Sequence, residues 1–435
     1  MKIMNVKGST DFLPEEQIIR NYINDTLKQI FEEYGYLPIE TPILCYYDML
    51  SGKYDEKNDI LKEIYKLKDQ GNRDLGLRYD LTVPFAKFIA INKNRLTFPF
   101  KRYEINKVFR DGPVKLGRDR EFTQCDVDVV GIEGQMIEAE LLSLYVESFN
   151  KLNIEIIIKY NNRKLMTGLI EESGIPTELS TKVITIIDKM NKITKEEFNN
   201  ELNSIGITND KIDKLTNYFK LSISKLKDTF KDSKNEILTS GIKELLELNK
   251  YLNGLDIDKY CVFDPTLARG QDYYTGTIFE VFEKNRKLSG SIGAGGRYDN
   301  MVTEFINDGV SYPAVGASFG LSSIYELLKE KELETNLYDL YIIPLETEVE
   351  SLKLANTLRE KGLKVIVEMN NKKIKKAFAW ASKNKIPFVS VIGSDEINTN
   401  KIKIKDMNKE QEITLDINNI EEIIKLIKWK KYFTK

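Results

Sequence analysis

The sequence predicts an α+β chain: a mixed block of helices and strands, split by a helical insertion and followed by a separate α/β block. Three observations lead there. β-rich and helical runs alternate over residues 1–175 and return, Gly-rich, over 256–330. Residues 176–255 carry helical periodicity almost throughout. From residue 337 to 435, strand and helix alternate, the pattern of a small α/β domain with a mainly parallel sheet. A chain of 435 residues is also too long for one ordinary core.

Each element has its own signal. PEEQIIRNYINDTLKQIFEEYGY places Ile19, Tyr22, Ile23, Leu27, Ile30, Phe31 and Tyr34 at helical spacing, with Asp11 to cap the start and Gly35 to end it. REFTQCDVDVVG reads as a strand. Thr123, Cys125, Val127 and Val129 take one face; Gln124, Asp126, Asp128 and Val130 take the other. The insertion is rich in Lys, Asn, Glu, Ile and Leu, and IKELLELNKYLNGL typifies it; its composition predicts a unit weakly held to its neighbours. A polar linker is expected at 330–337. DLYIIPL, ESLKLANTLREKG, LKVIVEM, KKIKKAFAWASKNK and PFVSVIG then alternate strand and helix, before KIKIKDM, EITL and a last helix, NIEEIIKLIKWKKY.

Composition excludes whole classes of function. With 41% hydrophobic and 30% charged residues the chain can bury a core and is not disordered. No apolar run approaches the roughly 18–20 residues of a membrane span, and MKIMNVKGSTDFLP lacks the apolar stretch of a signal peptide. Cys45, Cys125 and Cys261 are scattered and without metal spacing, so a reducing, cytoplasmic location is expected, with no protein-ligated metal. The net charge of −2 removes global attraction to nucleic acid but allows local basic faces. Histidine is absent altogether. That excludes Ser-His-Asp and Cys-His catalysis, His-ligated metals and imidazole general bases. The chemistry must use Arg, Lys, carboxylates, hydroxyls, backbone groups or the substrate itself.

The motifs are more specific. FKRYEINKVFRDGPVKLGRDREFTQCDVDVVG ends one strand at Arg110, turns through a polar loop, and opens a second strand with Arg118-Asp119-Arg120-Glu121-Phe122. It resembles the second signature motif of class II aminoacyl-tRNA synthetases, and in detail that of the histidyl-tRNA synthetase family. LRYDLTVPFAKFIA, LARGQDYYTGTIFEVF and GAGGRYDNMV point the same way. GYLPIETPIL, with Pro42, is similar to the first signature motif, and the block from residue 337 resembles the family's anticodon-binding domain. The resemblance covers nearly the whole chain. It implies a class II antiparallel sheet with flanking helices, a homodimer through motif one, and a histidine–tRNA ligase. Such an enzyme uses ATP with Mg²⁺ to form histidyl-adenylate and then charges tRNA(His).

The resemblance also implies roles. Arg110 bridges the amino-acid carboxylate and the α-phosphate; Arg269 is the cation at the α-phosphate. Arg118, Asp111 and Gly320 belong to the ATP side, Asp111 being the acidic group nearest the adenine. Asp80 and Thr82 match residues for the α-amino group. Gln124 and Asp128 lie at the amino acid, with Tyr273, Tyr274 and Tyr298 around it; Tyr273 also reads as a core aromatic. Chemistry agrees. Fixed guanidiniums suit phosphate bidentately and do not deprotonate. Imidazole has two ring nitrogens, so a selective pocket needs acceptors at both ends. With no histidine in the protein, activity between about pH 5 and 8 is expected to follow the substrate's imidazole. The glycines of GSIGAGGRYD mark a tight turn or close approach of backbone to a ligand. Lys372, Lys373, Lys375 and Lys376 read either as a solvated helix face or as an RNA contact.

Two positions depart from the family pattern. In VGASFGLSSIYELL, Ser323 stands where a motif-three arginine is expected, and Gln271 replaces an apolar residue of the ARG-x-DYY run. The first departure favours a rival, a histidine-sensing regulatory paralogue such as the regulatory subunit of ATP phosphoribosyltransferase. A non-catalytic RNA-binding scaffold is the other. The complete ARGQDYYTG and the motif-two arginines favour the ligase. The empty histidine column has two readings: compositional drift, or selection for a ligase whose own synthesis does not consume its product.

Overall fold

The computed structural model describes residues 3–52, 60–190, 192–269, 273–331 and 337–429. Gln271 and most of the expected linker lie outside the described residues. The chain forms two compact units, Met1–Phe12 with Ile19–Lys331 and Leu13–Ile18 with Glu332–Lys435.

The larger unit is built on an eight-stranded sheet. Its spatial order is Leu37–Pro38, Phe100–Phe109, Glu121–Val130, Ala314–Gly320, Gly293–Arg297, Thr277–Glu283, Ile156–Asn162 and Cys261–Phe263. The two outermost pairings are parallel and the five between them antiparallel. Register decides what shares a face. Asp128 stands between Arg102 and Gly316, Asp126 between Glu104 and Ser318, and Gln124 between Asn106 and Gly320. Directly opposed residues point to the same side of a sheet, so these form one polar lattice. On the other side, Phe31, Tyr145, Phe149 and Phe319 pack together, with Tyr145 and Phe319 rings 4.4 Å apart. Each fully buried ring of this kind contributes about 1.5–3 kcal/mol.

The helix Pro14–Glu33 buries Ile19, Ile23, Leu27, Ile30 and Phe31, while Tyr22 stays exposed. Its start uses proline at the first turn, and Glu16 Oε2 accepts the Leu13 N–H at 2.7 Å, rather than a cap from Asp11. Gly35 follows its end with φ +77°. The helical stretch Arg163–Gly254 buries its own core of Phe198, Leu202, Leu215, Leu226 and Leu245. Side-chain hydrogen bonds tie its first and last helices to each other and to the neighbouring strand. Asn162 and Lys164 both donate to Glu244, and Tyr160 donates to Asn249. Polar anchors of this sort leave no trace in hydrophobic periodicity.

The smaller unit has a five-stranded sheet ordered Val365–Val367, Leu340–Pro344, Phe388–Ile392, Lys401–Asp406 and Gln411–Asp416. The first three strands are parallel; the last two join antiparallel. The sheet is thus only half parallel. The four residues between Asp406 and Gln411 suffice for a hairpin but not for the crossover that a parallel pair needs. Glu348–Glu360 and Ile420–Trp429 cover one face and Ile374–Lys383 the other.

Candidate active site

A cavity of about 1210 Å³ opens on the polar face of the large sheet. Asp80, Thr82, Arg110, Arg118, Gln124, Asp128, Arg269, Tyr273, Tyr274, Tyr298 and Gly320 all line it. Asp111 does not. Its carboxylate pairs with Arg120 at 3.2 Å and accepts the Tyr65 hydroxyl at 3.4 Å, an ion pair within its own loop.

The segment bearing Asp80 is pinned from below. Arg78 is fully buried and donates to Glu104 Oε1 (2.9 Å), Thr41 O (2.7 Å) and Lys107 O (2.7 Å). Asp80 Oδ1 accepts the Val83 N–H at 3.0 Å, which orders the first turn of the helix Thr82–Asn92. Arg110 is oriented by aromatic faces, with Tyr79 4.2 Å and Phe122 5.0 Å from its guanidinium, and donates to Tyr79 O at 3.2 Å. A guanidinium so stacked is pre-organised for a planar oxyanion. Arg269 Nη1 lies 2.6 Å from Glu280 Oε1, and the Tyr274 ring is 6.0 Å from its guanidinium.

The floor is the Arg102–Asp128–Gly316 row. Arg102 is fully buried, its Nη2 2.5 Å from Asp128 Oδ2 and its Nη1 3.9 Å from Glu104 Oε2. The Tyr298 hydroxyl donates to Asp128 Oδ1. Burial pushes the Asp128 carboxyl up, and Arg102 and Tyr298 pull against it. Gly316 makes this row possible, since a Cβ there would fall 2.0 Å from Asp128 Oδ1. Gly295 has a different use from the one its motif suggests. A Cβ there would meet Gly316 O at 2.1 Å and the Phe279 ring at 2.5 Å, so its smallness serves strand packing rather than a ligand. Arg297 of GGRYD is likewise an anchor, buried against Glu138 at 2.6 Å.

Sequence reasoning missed four cavity groups or their supports. Arg102 carries no local signal; only the strand register puts it beside Asp128. Asp126 was legible by its parity with Gln124 and Asp128. Burial pushes its carboxyl up to about 7, with Arg102 pulling down and Asp128 pushing up. Burial thus lifts one protein carboxyl toward the range of an imidazole, despite the absence of histidine. Glu280 is the partner of Arg269. Lys115 is the fourth. Its main chain closes a hairpin with Arg118 (N–H to O, 3.1 and 2.8 Å), so the two cations leave the same side of the loop, and both line the cavity. The loop tip touches the departure at motif three: Ser323 Oγ donates to Gly117 O at 3.4 Å. The helical insertion adds Asp188 and Lys192 to the rim.

In the smaller unit, Lys372 donates to Glu368 at 2.8 Å and sits 5.1 Å from the Trp380 ring. Lys373, Lys375 and Lys376 are exposed at the start of the helix Ile374–Lys383. Among the described residues, no group of three or more His, Cys, Asp or Glu is placed to hold a metal, and no helix is long and apolar enough to cross a membrane.

The chain is similar to known proteins along its length. The family model for histidyl-tRNA synthetase matches residues 8–324, and that for an anticodon binding domain matches residues 339–427. A histidine–tRNA ligase 1 of Bacillus cereus is 47% identical over 429 residues, covering 98% of this chain and 100% of the relative. A histidine–tRNA ligase of Clostridium tetani is 36% identical over 437 residues, covering 97% of each. Among solved structures, histidyl-tRNA synthetase from Nostoc sp. superposes with a TM-score of 0.86 at 32% identity, covering 98% of this chain and 100% of that one.

Proposed function

Because the chain belongs to the histidyl-tRNA synthetase family, its activity being that of a histidine–tRNA ligase, we propose the following division of labour within the cavity. Asp80 and Thr82 hold the α-amino group. Gln124, Asp128 and Tyr298 enclose the side chain, with Tyr273 and Tyr274 as walls. Arg110 joins the substrate carboxylate to the α-phosphate, and Arg269 faces that phosphate from the other side. The carboxylate oxygen attacks the α-phosphorus and pyrophosphate leaves. Both arginines oppose the charge that builds on the phosphoryl oxygens. The terminal ribose hydroxyl of tRNA(His) then attacks the histidyl carbonyl and AMP leaves. With no protein imidazole available, a phosphate oxygen of the adenylate takes the hydroxyl proton.

Convergence carries this reading: acceptors for an amine and an imidazole line the same cavity as Arg110, Arg118 and Arg269. ATP–pyrophosphate exchange tests it. Exchange should depend on histidine and on no other standard amino acid; exchange with another amino acid alone defeats it. Mg²⁺ bound with the triphosphate would supply charge neutralisation at the leaving pyrophosphate. Lys115 and Arg118 supply the cations at that end, where Ser323 supplies none.

The exposed lysines Lys373, Lys375 and Lys376 are assigned to the phosphates of the anticodon arm. Cations crowded at a helix N-terminus oppose its dipole, so an anionic partner explains them better than a solvated face. The triple variant Lys373→Glu, Lys375→Glu, Lys376→Glu should raise the KM for tRNA about tenfold or more and leave pyrophosphate exchange unchanged. Unchanged charging removes these lysines from the interface.

A homodimer through the first-motif region is supported by exposed apolar side chains. Leu44 is 51% and Tyr46 56% exposed, and Leu37, Ile43 and Leu67 are exposed as well. Sedimentation equilibrium should give a dimer for the native chain and a monomer for Leu44→Glu, Tyr46→Glu; a dimer in both moves the interface elsewhere. The free thiols Cys45, Cys125 and Cys261 suit the cytoplasm.

A further inference from the structure

We propose that Asp126 is a second imidazole-reading carboxylate, accepting one ring N–H of the substrate while Asp128 addresses the other end of the ring. The proposal rests on the reading of the cavity as a histidine site.

The two carboxylates are not equivalent. Asp128 Oδ1 accepts the Tyr298 hydroxyl, and its Oδ2, which has no hydrogen bond, is ion-paired with Arg102 at 2.5 Å. Asp126 is only 3% exposed and lines the cavity, and its Oδ1 has no hydrogen-bond partner. A buried acceptor without a donor is costly, and native structures keep few. Its neighbours do not supply the missing donor in this arrangement. Glu104, opposite it on one side, is itself an acceptor committed to Arg78 and Thr41. Ser318, opposite it on the other, hydrogen-bonds the carboxyl once and accepts from Gln124 Nε2 at 3.0 Å. Arg102 leaves Nε and Nη1 without hydrogen bonds yet makes none to Asp126.

Position supports the same role. Asp126 is the middle member of the Gln124–Asp126–Asp128 row, and alternate residues on a strand are about 7 Å apart. Two carboxylates at that spacing reach both edges of a five-membered ring lying between them. A ring N–H is the donor that the free oxygen lacks.

Burial also disfavours the charged form of this carboxyl. Burial raises the Asp126 carboxyl to about 7 against the pull of Arg102, with Asp128 and Asp80 adding like charge. Between the ordinary carboxylate range and about 7, the folded chain therefore holds a proton that the unfolded chain has released. Stability contributed by that proton is lost as pH rises through this window.

The test is Asp126→Asn in the full-length enzyme, assayed by pyrophosphate exchange at pH 8 with histidine and with 2-thiazolylalanine, whose ring has no N–H. The KM for histidine should rise about 10- to 100-fold, the worth of a hydrogen bond to a charged group, with the KM for ATP held within about twofold. Native enzyme should prefer histidine over the thiazole strongly, and the variant should lose most of that preference. Urea unfolding at pH 8 should place the variant at or above the native midpoint. Unchanged histidine KM and unchanged preference overturn the proposal, as does a lower midpoint with both substrates affected alike. Native enzyme without histidine-dependent exchange would instead overturn the reading on which the proposal rests.

Discussion

Arg269→Lys should slow histidyl-adenylate formation by about 10²–10³-fold, the usual loss when one preorganised donor to a developing charge is removed. The defect belongs in the rate rather than in the KM for histidine. Arg269 gives Nη1 to Glu280, and its planar fork keeps further donors at a fixed angle to that bond. A lysine ammonium has no second edge. Drawn to Glu280, it stays in the ion pair and leaves the phosphate unopposed. Single-turnover adenylation with saturating histidine measures the step directly. A variant whose main defect is a raised histidine KM would move Arg269 from the phosphate to the amino acid.

Asp128→Ala should reduce kcat/KM for histidine by roughly 10³–10⁴-fold, because a site built around hydrogen bonds fails when a partner is lost. It should also cost stability. The Arg102 guanidinium beneath Asp128 is buried. Breaking a buried pair by removing one partner costs about 3–5 kcal/mol. Urea unfolding should register that loss, and Asp128→Asn, which keeps volume and an acceptor for Tyr298, should recover part of it. Near-normal exchange by Asp128→Ala would end its assignment to the imidazole.

Much of this was legible before any coordinates. Residue parity along REFTQCDVDVVG assigned both faces of the strand, because the pleat alternates side chains regardless of what lies beside them. The arginines and tyrosines of the cavity were legible because their motifs are local. What escaped depends on neighbours across the sheet. Arg102 lies 26 residues from Asp128 and meets it only through register. Asp126 stood on the correct face, yet nothing local separated it from its neighbours. Its distinction is an empty oxygen and a shifted charge, both products of burial. The ion pair of Asp111 was hidden for a related reason: the loop that carries it also carries Arg120, and only the folded loop brings the two together.

The Arg102–Asp128–Gly316 row has a consequence for how such a chain evolves. Any larger residue at 316 strikes the Asp128 carboxylate. An uncharged residue at 128 strands the buried guanidinium of Arg102, and an uncharged residue at 102 strands a buried carboxylate. Each single step away from this arrangement passes through a less stable protein, so the route to a pocket for a different amino acid needs several coordinated substitutions. On the proposed reading of Asp128, selectivity and foldability are tied to the same three residues.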